Sequence, residues 1–134
     1  MSDLVWVAPE TIFSLHEASI ARFGGTLGVR DSGLLESALA RPQNVYAYGE
    51  ADLFILAAAL GAGIIKNHPF LDGNKRTGFL AAALFLESNG ESFQASEEEV
   101  VIQTLGLAAG AISEAEYAGW LRVSCRKKRE KKAR

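Results

Sequence analysis

The sequence predicts an all-α domain: a bundle of about six helices around a buried central helix pair, with a small β-flap. Three observations lead there. Ala and Leu dominate the composition and β-branched residues are few, which favours helix. Residues 53–65 and 78–86 are almost wholly apolar. They are too apolar for surface helices and too short for a membrane span, so they read as core helices. Between them lies a polar, charged junction, Asn67-His68-Pro69-Phe70-Leu71-Asp72-Gly73-Asn74-Lys75-Arg76-Thr77. The 134 residues make one domain with a real core.

The elements follow in order. Residues 4–8 are an edge strand or an extended lead-in. Pro9 and Glu10 suit a first helical turn, Ile12, Leu15, Ile20 and Phe23 give helical spacing, and Gly24-Gly25 stops the helix. His16 shares the Ile12 and Ile20 face, as a packed core histidine or a support for the junction. Asp31 or Ser32 caps a second helix over residues 33–41, and Pro42 ends it. Val45, Tyr46, Ala47 and Tyr48 then alternate, so residues 43–49 form a short strand or hairpin flap, or a plain surface loop. Asp52 caps the first core helix, which runs to Lys66 or Asn67. The second starts near Asn74 and closes at Asn89-Gly90. Residues 91–95 are a short extended link. Ser96 with Glu99 and Ser113 with Glu116 are capping boxes opening the last two helices. The domain is expected to span residues 1–123. Residues 124–134 are a basic tail, a frayed helix end or disordered.

Charge is uneven. Residues 1–121 carry six Lys/Arg against fifteen Asp/Glu, or −9, while residues 122–134 carry eight Lys/Arg against Glu130, or +7. Three of the six, Lys66, Lys75 and Arg76, lie in or beside the junction, which points to an anionic ligand there. The tail lacks interleaved aromatics, so direct nucleic-acid binding is not expected of it. Lone Cys125 excludes an internal disulfide and fits a reducing compartment as an unremarkable thiol. Met1-Ser2-Asp3 begins no basic or apolar leader. No membrane association and a cytoplasmic location are therefore expected.

The second core helix starts inside the junction, so its free N–H groups and positive dipole end face the loop. Gly73 allows the turn that aims them at one spot. Asn74 adds a side-chain donor, and Lys75 and Arg76 add fixed charge. Such a set suits a polyphosphate. Asp72 fits it once Mg²⁺ bridges one carboxylate and two phosphates. His68 closes the other helix and suits a general base at neutral pH. A base, a metal-binding carboxylate and an oxyanion cradle are what phosphoryl or nucleotidyl transfer to a hydroxyl requires. Phe70 reads as the loop's anchor on the core, and Thr77 as a helix-start hydroxyl.

His68-Pro69-Phe70-Leu71-Asp72-Gly73-Asn74-Lys75-Arg76 resembles the signature of the Fic/Doc superfamily, HxFx[D/E]GN followed by Gly or Lys and then Arg, and specifically its Doc (death-on-curing) toxin branch. The likeness covers most of residues 4–121, including Leu15-His16-Glu17, Phe23-Gly24-Gly25 and Gly28-Val29-Arg30-Asp31. Fic nucleotidyl transferases have Gly where this chain has Lys75, and commonly a second Arg where it has Phe79. The resemblance implies ATP held in reversed orientation, so that the γ-phosphate faces the acceptor and the product is a phosphorylated protein. It implies a toxin that acts on a Ser/Thr hydroxyl of elongation factor Tu and stops translation. No Glu is followed by Gly or Asn, so the in-chain inhibitory element of Fic proteins is absent, and inhibition by an antitoxin in trans is expected. Residue by residue, His68 would take the hydroxyl proton, and Asp72 would hold Mg²⁺ or orient His68. Asn74, Lys75 and Arg76 would bind phosphates, Lys66 would add a contact, and Gly73 with the helix amides would form the anion hole. Tyr46 and Tyr48 would belong to a flap along which the target peptide lies. Transfer of AMP on the same fold, or an idle antitoxin-binding module, are the alternatives.

Overall fold

The structure, a computed structural model, describes residues 4–129. Its elements are α1 Pro9–Phe23, α2 Ser32–Ala47, α3 Leu53–Asn67, α4 Asn74–Ser88, β1 Glu91–Phe93, α5 Glu97–Ala109, α6 Glu114–Val123 and β2 Cys125–Lys127. Every residue of α3 from Leu56 to Ile65 is buried. This helix packs against α2, α4, α5 and α6, as its lack of interior charge requires. Asp52 starts it by accepting the N–H bonds of Phe54 (2.8 Å) and Ile55 (3.3 Å). Arg122 of α6 reaches the same carboxylate at 2.7 Å.

The central pair is α3 and α4, antiparallel and very close. A Cβ on Gly78 would stand 2.6 Å from Ile65 Cγ1 and 2.9 Å from Gly61 O. A Cβ on Gly61 would in turn meet Gly78 O at 3.1 Å. Neither helix can shift without the other, so the loop of residues 68–73 joining them is framed by two rigid ends. Ser113 and Glu116 form the complete expected capping box. The other box is half formed: Ser96 caps the Glu99 N–H, but Glu99 Oε1 accepts from Trp120 Nε1 at 3.2 Å.

Three expectations are corrected. Helix α2 does not stop at Pro42 but continues to Ala47, with Pro42 inside it and buried. The Ala38 carbonyl, which loses its helical donor to Pro42, is pressed against α3, where a Cβ on Gly63 would lie 3.5 Å from it. Packing of Leu35, Ala38, Leu39 and Pro42 against the core outweighs the proline penalty of about 3 kcal/mol. Residues 43–49 are therefore no strand or hairpin flap. The sheet lies elsewhere, pairing Glu91 with Lys127, Ser92 with Arg126 and Phe93 with Cys125 in antiparallel register. Residues 125–127 are thus a strand, neither frayed helix nor disordered, and the body continues past residue 123. The remainder of the expected tail, residues 130–134, lies outside the described residues.

The sheet finishes α4. Lys128 Nζ donates to Glu87 O at 2.6 Å and lies 3.2 Å from Glu87 Oε1, a cation where the helix dipole favours one. Residues 4–8 are the extended lead-in. Val5 N–H donates to Asn89 Oδ1 and Val5 O accepts from Asn89 Nδ2, at 2.8 and 2.9 Å. Burial, then the Glu91 and Glu87 carboxylates, push the Cys125 thiol up to about 11, so it stays protonated. Among the described residues no helix is long and apolar enough to cross a membrane.

Candidate active site

The loop between the central helices is folded by its own anchors. Phe70 is buried and stacks on His16 at 3.8 Å between ring centroids, with Phe13 meeting it edge-on. His16 donates from Nε2 to Asp72 O at 2.8 Å. The packed-core and support readings of His16 therefore both hold. Asn74, also buried, accepts from Phe70 N–H at 2.9 Å and donates back to Phe70 O at 3.0 Å. Its amide nitrogen lies 3.4 Å from His68 Nδ1.

His68 terminates α3 in the left-handed conformation, φ 52° and ψ 57°. Among the described residues no other non-glycine has positive φ. A histidine held there costs about 1–2 kcal/mol and persists only where its surroundings impose it. The chain reverses at this residue, so the imidazole stands at the mouth of the loop, exposed.

Gly73 is the N-cap of α4, with φ 75° and no side chain to cap the helix. Helices α2, α3, α5 and α6 are each capped by an Asp or Ser side chain. Helix α4 leaves its first N–H groups open, the arrangement that receives anions. Its first turn opens on a cleft of about 290 Å³ lined by His68, Leu71, Asp72, Gly73, Asn74, Lys75 and Arg76. Asp72 is on its rim. Its Oδ2 accepts from Thr26 N–H (3.1 Å) and its Oδ1 from Gly73 N–H (2.9 Å). These two donors, Thr26 foremost, hold its carboxyl below the usual range, and Arg76 and His16 add to the shift. A depressed carboxyl is ionised at neutral pH. Its hold on Thr26 and Gly73 is present above the unfolded carboxylate range and is lost as pH falls through the lowered value.

The cations differ. Arg76 donates to Ser19 Oγ at 3.2 Å, and its guanidinium lies 4.4 Å above the Phe23 ring. Lys75 is exposed, and among the described residues it makes no hydrogen bond or ion pair. Beyond them an apolar groove of about 410 Å³ continues along α4 and α5, lined by Phe23, Phe79, Leu80, Phe93, Val100 and Val101 among others.

Several expected roles change. Asn74 spends its side chain on Phe70 and so braces the loop, while its backbone N–H lies in the open first turn of α4. Asp72 has both carboxylate oxygens engaged by Thr26 and Gly73, and the side chain nearest the His68 ring among the described residues is Asn74, at 3.4 Å. Lys66 is exposed on α3 but does not line the cleft, because two helical positions before His68 turn it to another face. Tyr46 packs on Trp6, which stacks on Phe85 near the far end of α4. Tyr48 is 93% exposed beyond α2. Neither lies beside the cleft. The segment that does is residues 24–31, joined to the loop by a Val29–Phe70 bridge and by Leu71 N–H donating to Gly28 O at 3.0 Å. The pattern Gly24-Gly25…Gly28 marks an irregular backbone, but only the fold shows where it docks.

The model of the Fic/DOC family matches residues 6–86, from the N-terminal lead-in through the loop and nearly all of α4. The chain belongs to the Fic/Doc family. It is 39% identical over 117 residues to a protein named "Protein kinase doc" from Escherichia phage P1, covering 87% of this chain and 92% of that one. It is 51% identical over 80 residues to a protein named "Toxin Doc" from Mycolicibacterium smegmatis, covering 57% of this chain and 59% of the relative. These Fic/Doc relatives support a toxin function and a kinase-type transferase activity.

No three His, Cys, Asp or Glu among the described residues cluster to hold a metal by themselves. A single ionised carboxylate beside an open helix N-terminus fits Mg²⁺ only when phosphate oxygens supply further ligands. The residues present thus fit a metal that enters with its nucleotide.

Proposed function

We propose that this Fic/Doc chain is the toxin of a toxin–antitoxin pair, phosphorylating a Ser/Thr hydroxyl of a translation factor, elongation factor Tu, with ATP and Mg²⁺ and so halting translation. The observation that carries this reading is the uncapped N-terminus of α4, flanked by Lys75 and facing His68 and Asp72 across one cleft. The open amides of the first turn of α4, aimed by the left-handed Gly73, receive phosphate oxygens. Lys75 and Arg76 offset the charge that spreads over the transferred group. His68 accepts the hydroxyl proton. Its 3.4 Å spacing from Asn74 is too long to pin the tautomer, and with the ring proton on Nδ1 the accepting atom is Nε2. Mg²⁺, when bound, would neutralise phosphate charge between Asp72 and the nucleotide.

Phe79 argues for phosphate over AMP. The position where Fic nucleotidyl transferases commonly carry a second Arg is here packed against Phe93 and Trp120, with centroids at 5.4 and 6.4 Å. The apolar groove beside Arg76 supports an antitoxin acting in trans, since an amphipathic segment laid there would pass the mouth of the cleft. The test is intact-mass analysis of elongation factor Tu after incubation with the protein, ATP and Mg²⁺. A gain of one phosphate is expected. A gain of AMP would install the alternative, and no gain would leave an antitoxin-binding module.

Gly25 gives a test of Asp72. A Cβ there would stand 2.8 Å from Asp72 Oδ2 and 2.9 Å from Ile20 Cδ1, at a φ of 120°. Gly25→Ala is expected to displace the carboxylate and raise the Mg²⁺ concentration needed for half-maximal transfer by about 10- to 100-fold, read by Mg²⁺ titration. An unchanged titration would remove Asp72 from the metal site.

A further inference from the structure

Arg30 lies outside the cleft lining, yet one residue takes three consecutive carbonyls at the turn that presents His68. Its Nη2 donates to Asn67 O at 2.8 Å, its Nε to His68 O at 2.7 Å, and its backbone N–H to Pro69 O at 2.7 Å. Among the described residues its side chain pairs with no carboxylate. The planar fork of a guanidinium can span two adjacent carbonyls, which a lysine ammonium cannot do in the same geometry. The site it grips is the one left-handed non-glycine backbone described, His68.

The direction of the His68 Cα–Cβ bond, from which the imidazole projects, is fixed by the peptide planes on either side of the residue. The N-terminal plane is tied into α3, where His68 N–H donates to Ile64 O at 3.2 Å. The C-terminal plane is held through His68 O, and the side-chain group bonded to that oxygen is Arg30. Asn74 touches the ring only at 3.4 Å, a weak constraint beside two bonds under 2.9 Å. We propose that Arg30 is a positioning residue for the transfer reaction, holding His68 in the strained turn that keeps its imidazole aimed into the cleft. The inference rests on His68 as the proton acceptor.

A purely stabilising role would cost folding free energy and leave the turnover of the folded fraction intact. A positioning role lowers kcat in folded protein, while the phosphate cradle on α4, which Arg30 does not touch, keeps KM for ATP near its wild-type value. The experiment compares wild type, Arg30→Ala, Arg30→Lys and His68→Ala by kcat and KM for ATP, with thermal melts to set the assay temperature below every transition. For Arg30→Ala a fall in kcat of about 100-fold is expected, the usual effect of a misplaced catalytic group, with KM changed less than threefold. Added guanidinium chloride at non-denaturing concentration is expected to restore part of that rate in Arg30→Ala and none in His68→Ala. Arg30→Lys, which keeps the charge and loses the fork, is expected to stay impaired.

Wild-type kcat in folded Arg30→Ala would overturn the inference, as would a change confined to KM. If Arg30→Ala does not fold, Arg30→Lys decides by the same kcat criterion. An active His68→Ala would instead overturn the reading of His68 itself.

Discussion

His68→Ala is expected to lower target phosphorylation by about 10²- to 10⁴-fold, the range for loss of a positioned general base, and to abolish growth arrest on expression. The side chain is exposed at the loop mouth and makes no buried contact that folding depends on. The substitution should therefore act on chemistry more than on stability. The backbone needs a control, because Ala tolerates φ 52° poorly. His68→Asn supplies it, since Asn enters the left-handed region readily and cannot act as the base. Both variants should melt close to wild type and both should be inactive. Either one phosphorylating at the wild-type rate would remove His68 from the mechanism.

The second large effect belongs to Lys75. Lys75→Gly is expected to lower phosphorylation at least tenfold, and by about 10²-fold if the lysine supplies a full charge-assisted contact to the transferred phosphate. Structure makes this variant more informative than its neighbour. Arg76 also binds Ser19 and covers Phe23, so its removal would disturb α1 as well as the ligand site. Lys75 has no such second duty among the described residues. Glycine in the first turn of α4 costs about 1 kcal/mol of helix propensity, so Lys75→Ala should accompany it and show the same loss. The mass of the product decides what Lys75 selects. A Lys75→Gly enzyme that kept the wild-type rate of phosphate transfer would sink the argument that this lysine fixes the nucleotide's orientation.

The site was legible in the sequence because its residues are contiguous. Nine neighbours from His68 to Arg76 form the loop and the first turn of α4, and the two helices announce themselves by apolar runs that allow no other burial. The caps at Asp52 and Ser113 were equally plain, since each is a local bond over two or three residues. What escaped was settled over longer distances. Pro42 reads as a stop, and only the packing of Ala38 and Pro42 on α3 carries the helix through it. The strands β1 and β2 are three residues each, too short for a period, and their partners lie more than thirty positions apart. Asn74 reads from the motif only as a candidate phosphate ligand, and the inward turn of its side chain to Phe70 is visible only in the fold. Lys66 looked close in sequence and is on another face of its helix. Arg30 lies in a stretch that carries the resemblance, but its role had no local signal, because its side-chain bonds go to backbone carbonyls 37 and 38 residues away.

Helix α4 has a chemical end and a mechanical end. Its 15 residues, at about 1.5 Å each, put about 22 Å between the phosphate cradle and the turn at Asn89. That remote turn gathers Val5 and Lys128 at once, through Asn89, Glu87 and Gly90. The two ends of the described chain therefore meet on the side of the molecule facing away from the chemistry. A short linker joining them would close the chain into a ring there. A circular permutant reopened at the exposed Gly49 turn would keep α3, the loop and α4 in one unbroken piece.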